Sequence, residues 1–143
     1  MGCFDDGIIA DWERGGDAPW EAPSDDAYSG GCAAGSGAVG DNQESWLKGH
    51  VMGPCLLNFH WKVSSEPGDE LRFYIDDEKY FIMSGDVDWT LVSQYLSEER
   101  EYTIGWKYVK DSAGSGGRDK GWVDDVVVIL PTPTPTSEFV TGG

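Results

Sequence analysis

Two histidines, His50 and His60, and 26 acidic residues are the groups in this 143-residue chain with which proton transfer or metal chemistry could be done. A hydrolase of the Ser-His-Asp kind needs a nucleophile held against an oriented histidine, and neither histidine is so placed. His60 alternates with Asn58 and Lys62 on the polar side of a period-two run, which reads as a solvent-facing sheet residue. His50, between Gly49 and Val51, reads as loop. No GxSxG elbow, HExxH pair, Walker loop or GxGxxG fingerprint occurs, and the glycine-rich stretch 111–117 lacks the following helix that phosphate binding requires. Carboxylate doublets are plentiful: Asp5-Asp6, Asp25-Asp26, Asp76-Asp77, Asp124-Asp125, and Asp86 with Asp88. Glycoside hydrolysis needs one acid and one base or nucleophile roughly 5 to 10 Å apart, but in so acidic a chain such doublets arise cheaply, and each reads first as a turn or strand-edge carboxylate. Calcium makes better use of them, because it takes roughly six to eight oxygens and mixes carboxylates with backbone carbonyls from distant loops. The first and last strands each carry a doublet, and with no EF-hand pattern such a calcium would be structural and long-range.

The balance of 26 acidic against 10 basic residues gives a formal charge of −16. Phosphate backbones and anionic lipid surfaces are repelled by such a field, so nucleic acid is not an expected partner. Most of the carboxylates read as a solvated surface. No stretch approaches the roughly 20 apolar residues of a membrane span, and Met1-Gly2-Cys3-Phe4 does not read as a basic-then-apolar signal peptide, which leaves room for an export signal upstream in a parent protein. The three cysteines, Cys3, Cys32 and Cys55, have no zinc-site spacing. Either one disulfide forms, with Cys32–Cys55 the preferred pair, or all three are buried free thiols. Seven tryptophans remain as binding material. Trp61 shares an apolar face with Phe59, and Trp106 with Ile104, so both read as core. Trp20, Trp46, Trp89 and Tyr108 are enough to build an aromatic platform for a sugar.

The elements that would position these residues are strands. In 55–63, Cys55, Leu57, Phe59, Trp61 and Val63 fall on one face; in 71–75, Leu71, Phe73 and Ile75 do the same. The intervening 64–69, with Pro67-Gly68, supplies a turn, so these two strands are expected to form a hairpin. Runs 80–84, 89–96, 102–110 and 122–130 read as further strands, the last a central one. The first half is less regular, with Trp12, Trp20, Tyr28 and Trp46 as anchors for loops and short strands. Residues 97–100 can make one helical turn, but no dozen residues carry a 3.6-residue apolar period. The expectation is an all-β chain: one two-layer antiparallel sandwich over 1–130, with Phe59, Trp61, Phe73, Ile75, Ile104 and Trp106 in one core. Residues 131–143, opening with alternating proline and threonine, read as an extended linker or tail.

Cys3-Phe4-Asp5-Asp6-Gly7, Trp12, Asp41-Asn42-Gln43, the run Leu56 to Ser65, Leu71 to Asp76, Ser84-Gly85, Trp89 and Gly121-Trp122-Val123-Asp124-Asp125-Val126 together resemble MAM-like jelly-roll domains of prokaryotic surface proteins. The likeness runs from Cys3 to Leu130, with a looser one to jelly-roll carbohydrate-binding modules. It implies a non-catalytic, extracellular adhesion, recognition or spacer module of a larger surface or secreted protein, meeting a cell-surface protein or glycan and neighbouring modules of its parent chain. Carbohydrate binding through exposed aromatics is the alternative. The resemblance also implies a structural calcium held by Asp5 and Asp124, with Asp125 as the substitute for Asp124. Asp5 stands where glutamate is more usual, and the cysteine framework of eukaryotic MAM domains has no counterpart here.

Overall fold

The computed structural model describes residues 10–22, 33–111 and 119–131, and within them the regular backbone is entirely strand. The strands are β1 (Ala10–Gly16), β2 (Ala34–Gly35), β3 (Glu44–Met52), β4 (Cys55–Ser64), β5 (Glu70–Ile75), β6 (Glu78–Met83), β7 (Asp86–Leu96), β8 (Glu101–Val109) and β9 (Lys120–Ile129). They form a five-stranded sheet in the order β1-β3-β8-β5-β6 and a four-stranded sheet in the order β2-β9-β4-β7. Every pairing is antiparallel. Apart from the β5–β6 hairpin, each successive strand lies in the opposite sheet. The result is a two-layer β-sandwich of jelly-roll type. As expected, β9 is an interior strand, between β2 and β4.

The expected hairpin between 55–63 and 71–75 is not formed. β4 lies in the four-stranded sheet and β5 in the five-stranded one, so 64–69 is a crossover between layers. The physical reason is the alternation itself. Both strands carry an apolar side chain at every second position, and two such faces exclude more water packed against each other than lying side by side. Phe59 and Phe73 meet across the layers with ring centroids 4.8 Å apart. Trp106 approaches Phe59 edge-on at 5.2 Å, and Trp12 stacks on Trp106 at 6.2 Å. The six core residues expected from the sequence belong to this one cluster.

The true hairpin, β5–β6, turns through Asp76 and Asp77, whose φ values are 51° and 67°. Ile75 faces Glu78 across it. Two consecutive left-handed residues make the type I′ geometry whose twist suits a two-residue hairpin, and aspartate tolerates that region better than most residues. This doublet is therefore a turn. Cys55 is a buried free thiol opposite Leu96, so the preferred Cys32–Cys55 pairing is not made. Cys3, Cys32 and the Thr/Pro tail beyond Pro131 lie outside the described residues.

Candidate functional site

His50 belongs to β3, not to a loop. In that strand Ser45, Leu47, Gly49 and Val51 point inward, which turns Trp46, Lys48 and His50 to the outer face. In β8 the inward set is Tyr102, Ile104, Trp106 and Tyr108, leaving Thr103, Gly105 and Lys107 outside. Cross-strand register then fixes the neighbours. Trp46 faces Lys107, Lys48 faces Gly105, and His50 faces Thr103. On the far side of β8, Arg72 faces Lys107 and Tyr74 faces Gly105. Gly105 thus has Lys48 on one side and Tyr74 on the other, with no side chain of its own between them.

This arrangement opens a groove of about 360 Å³ on the outer face of the five-stranded sheet. Gly105 and the Trp106 backbone form its floor, Trp46 and Lys48 one bank and Tyr74 the other, with Lys107 at one end and Thr103 and Asp77 at the other. Each ring is pre-positioned. The Trp46 indole lies flat over Gly15 of β1, where any Cβ would collide with it. The Lys48 ammonium sits 4.7 Å from the Trp46 ring centroid, and that of Lys107 sits 5.1 Å from the Tyr74 ring. Arg72 donates to the Tyr74 hydroxyl at 3.1 Å and pairs with Glu70 at 2.8 Å. At the end of the groove the Thr103 hydroxyl is 3.1 Å from His50 Nδ1. The loop carrying Asp77 is tied down by its neighbour: Asp76 accepts the Thr103 N–H at 3.0 Å and pairs with Arg100 at 2.7 Å.

Of the four aromatic residues expected to form a platform, the groove contains Trp46 alone. Trp20 and Tyr108 have no exposed surface. The Trp20 indole donates to the Ser45 carbonyl at 2.9 Å, and the Tyr108 hydroxyl donates to Asp119 at 2.7 Å. Both are core anchors whose polar ends find internal partners, and neither can offer a ring face to a ligand. Trp89 lies on the four-stranded sheet, 5.9 Å from the Lys62 ammonium, in the other layer from Trp46. Tyr74 is the ring that sequence reasoning missed. Its signal was available, since it alternates with Phe73 and Ile75 and so had to face outward.

Asp5 lies outside the described residues. Asp124 is buried opposite His60, and one of its oxygens accepts the Asp125 N–H at 2.7 Å. Asp125 has φ 54° at a register shift between β4 and β9, and its carboxylate lies 3.6 Å from His60 Nδ1. The last-strand doublet thus forms a β-bulge. Among the described residues the carboxylates close enough to share a cation are Glu66, Asp69 and Asp111, with ligand atoms within 4.8 Å of one another. A protein cation already serves this cluster. The buried Lys110 ammonium is 2.9 Å from Asp69 and 2.7 Å from Asp119. Burial alone would raise the Asp69 carboxyl, but the Asp111 N–H and Lys110 outweigh it and hold the group below its ordinary value. Glu66 shifts the other way, pushed up by desolvation and by the charges of Asp111 and Asp69.

No protein-family model matches the chain, and no curated protein is similar to it in sequence. Solved structures do resemble it in fold. The secreted serine protease VesC of Vibrio cholerae matches with a TM-score of 0.60 and 18% identity over 67% of this chain, but only 21% of VesC is spanned. TmCBM61, a carbohydrate-binding module solved with β-1,4-galactotriose, matches with a TM-score of 0.58 and 16% identity over 90% of this chain and 94% of its own. At these identities the likeness establishes the sandwich fold that the two share with this chain.

Proposed function

We propose that this chain is a non-catalytic carbohydrate-binding module and that the groove around Gly105 is its glycan site. The carrying observation is the pair of outward rings, Trp46 and Tyr74, on opposite banks of a side-chain-free floor. The face of an aromatic ring is electron-rich and meets the weakly positive C–H face of a pyranose, while the surrounding lysine, threonine and aspartate groups suit its hydroxyls. Strand spacing of about 4.8 Å and a two-residue step of about 6.8 Å put the two ring-bearing Cα atoms roughly 12 Å apart. That span suits a short oligosaccharide better than a single sugar. The volume falls within the usual range for small-ligand sites.

Binding without hydrolysis is supported by the lining, which offers one carboxylate, Asp77, where glycoside hydrolysis uses two. The full-length match to TmCBM61 supports the same reading, and the secreted VesC supports a place on an exported protein, as does the MAM-like pattern of the sequence. The aromatic pair makes glycan binding a more specific proposal than a spacer or protein-adhesion role. Affinity electrophoresis against a panel of soluble polysaccharides is the test. At least one polysaccharide should retard the chain, and Trp46→Ala should abolish the retardation while leaving the melting temperature nearly unchanged. Retardation unaltered in Trp46→Ala would place binding elsewhere.

A further inference from the structure

The charges of the groove run against those of the chain. Ten basic residues serve a protein of net charge −16, yet Lys48, Lys107 and Arg72 occupy adjoining outward positions across β3, β8 and β5. Arg72 is paired with Glu70 and donates to the Tyr74 hydroxyl. Lys107 has Glu44 at 3.6 Å, a long contact at a half-exposed pair. Lys48 has an aromatic partner only among the described residues, because Glu13, directly across from it in β1, turns to His50 at 4.0 Å. Lys48 and Lys107 are diagonal cross-strand neighbours, with Cβ atoms about 7 Å apart; their heads rest on Trp46 and on Tyr74 and Glu44, and the bare Gly105 leaves room for both to swing inward onto a shared anion. An anion seated between them gains two charge-assisted hydrogen bonds.

We propose that the groove is selective for an acidic glycan, with the carboxylate of a uronic acid or a sulfate ester held between Lys48 and Lys107 above Gly105. This rests on the glycan-binding reading. The net charge does not oppose it at contact range, since salt at physiological strength screens exposed charges beyond about 8 Å, while two ammonium groups touching the ligand act within that distance. Recognition then divides by chemistry. Trp46 and Tyr74 take the sugar faces, and the lysine pair reads the acid.

The test is calorimetric titration of the intact chain with three trisaccharides of matched length: neutral galactotriose, tri-galacturonate and a sulfated galactotriose. Tri-galacturonate or the sulfated sugar should bind at least tenfold more tightly than the neutral one, and whichever leads identifies the acid group. Lys48→Met keeps the apolar stem over Trp46 and removes the charge, so it should erase the difference between acidic and neutral sugars. Glu44→Gln frees Lys107 and should widen the difference severalfold. Equal or tighter binding of the neutral sugar, or an acid preference that survives Lys48→Met, overturns the acidic selectivity and leaves glycan binding standing. No binding by any of the three, together with no polysaccharide retarding the chain, overturns both.

Discussion

The outer face of the five-stranded sheet sets rings and charges around a bare glycine, whereas the middle of the four-stranded sheet presents a more apolar surface. On the latter, Leu56 lies between Tyr95 and Ile129, Asn58 between Ser93 and Val127, and His60 between Leu91 and Asp124. Leu91 and Tyr95 are each 56% exposed. Apolar exposure alone therefore does not mark the groove, since Tyr80, Phe81 and Ile82 of β6 are exposed as well. What distinguishes the other face is relief: Gly105 removes a side chain from the middle of a strand and Gly15 lets an indole lie flat, whereas lysines rest on rings on both faces. A ligand gains most from groups already held in place, because it then pays little ordering entropy.

The largest expected effect separates the groove from the framework beneath both faces. Lys110 joins Asp69, ahead of β5, to Asp119, ahead of β9, and thereby ties the two sheets at one end. Lys110→Met leaves two carboxylates without their buried cation. Urea unfolding should show a loss of about 3 to 5 kcal/mol, the usual consequence of removing one partner of a buried pair. A loss below about 1 kcal/mol would mean that solvent already reaches this cluster.

Next is Gly105→Leu, which plugs the groove. Its Cβ would stand 3.3 Å from the Leu47 carbonyl and from Lys48 Cβ, tight but at a site where the outward side chain has open space beyond. Oligosaccharide affinity should fall at least tenfold, about 1.4 kcal/mol, with a much smaller change in stability. The matched substitution on the other face, Tyr95→Ser, should leave affinity unchanged by calorimetry. If Tyr95→Ser weakened binding as much as Gly105→Leu, the comparison between the faces would be reversed.

The smallest effects are those of pH on the framework. Asp69 and Asp76 are both held below the ordinary value of 3.8: burial opposes this in each, and hydrogen bonds from backbone N–H groups and from Lys110 or Arg100 prevail. A depressed carboxyl stabilises the fold above its unfolded value and ceases to as pH falls through the folded one, so melting temperature should hold down to about pH 4 and drop below it. Glu66 carries the opposite sign. Its raised value means that the charged form is disfavoured in the fold, so its penalty grows as pH rises. Glu66→Gln should therefore raise the melting temperature at pH 7 and make little difference at pH 3. An increase at pH 3 equal to that at pH 7 would show that the effect is not one of charge.

How much of this was legible in the sequence follows from where alternation was clean. β4, β5 and β8 carry large apolar residues at every inward position, so Phe59, Trp61, Phe73, Ile75, Ile104 and Trp106 were assigned to the core correctly. β3 was missed because its inward set mixes Ser45 and Gly49 with Leu47 and Val51, while the large apolar Trp46 points out. Its hydrophobic pattern is diluted at two inward positions and carries one large ring outward. Tyr108 was named as a ligand although its phase matches that of Ile104 and Trp106, and periodicity alone would have buried it. Layer assignment failed at the expected hairpin because alternation gives the inward face of a strand but not the sheet to which it belongs. The Asp69–Lys110–Asp119 cluster joins residues 41 and 9 positions apart in a way that no local pattern encodes.

The most direct test of the central claim is a backbone amide NMR titration of the intact chain with an oligosaccharide that binds it. The account predicts shifts concentrated at Trp46, Lys48, Tyr74, Thr103, Gly105 and Lys107, with Leu91, Ser93, Tyr95 and Val127 unmoved. Shifts confined to the second set, with Gly105 and its neighbours silent, would contradict it.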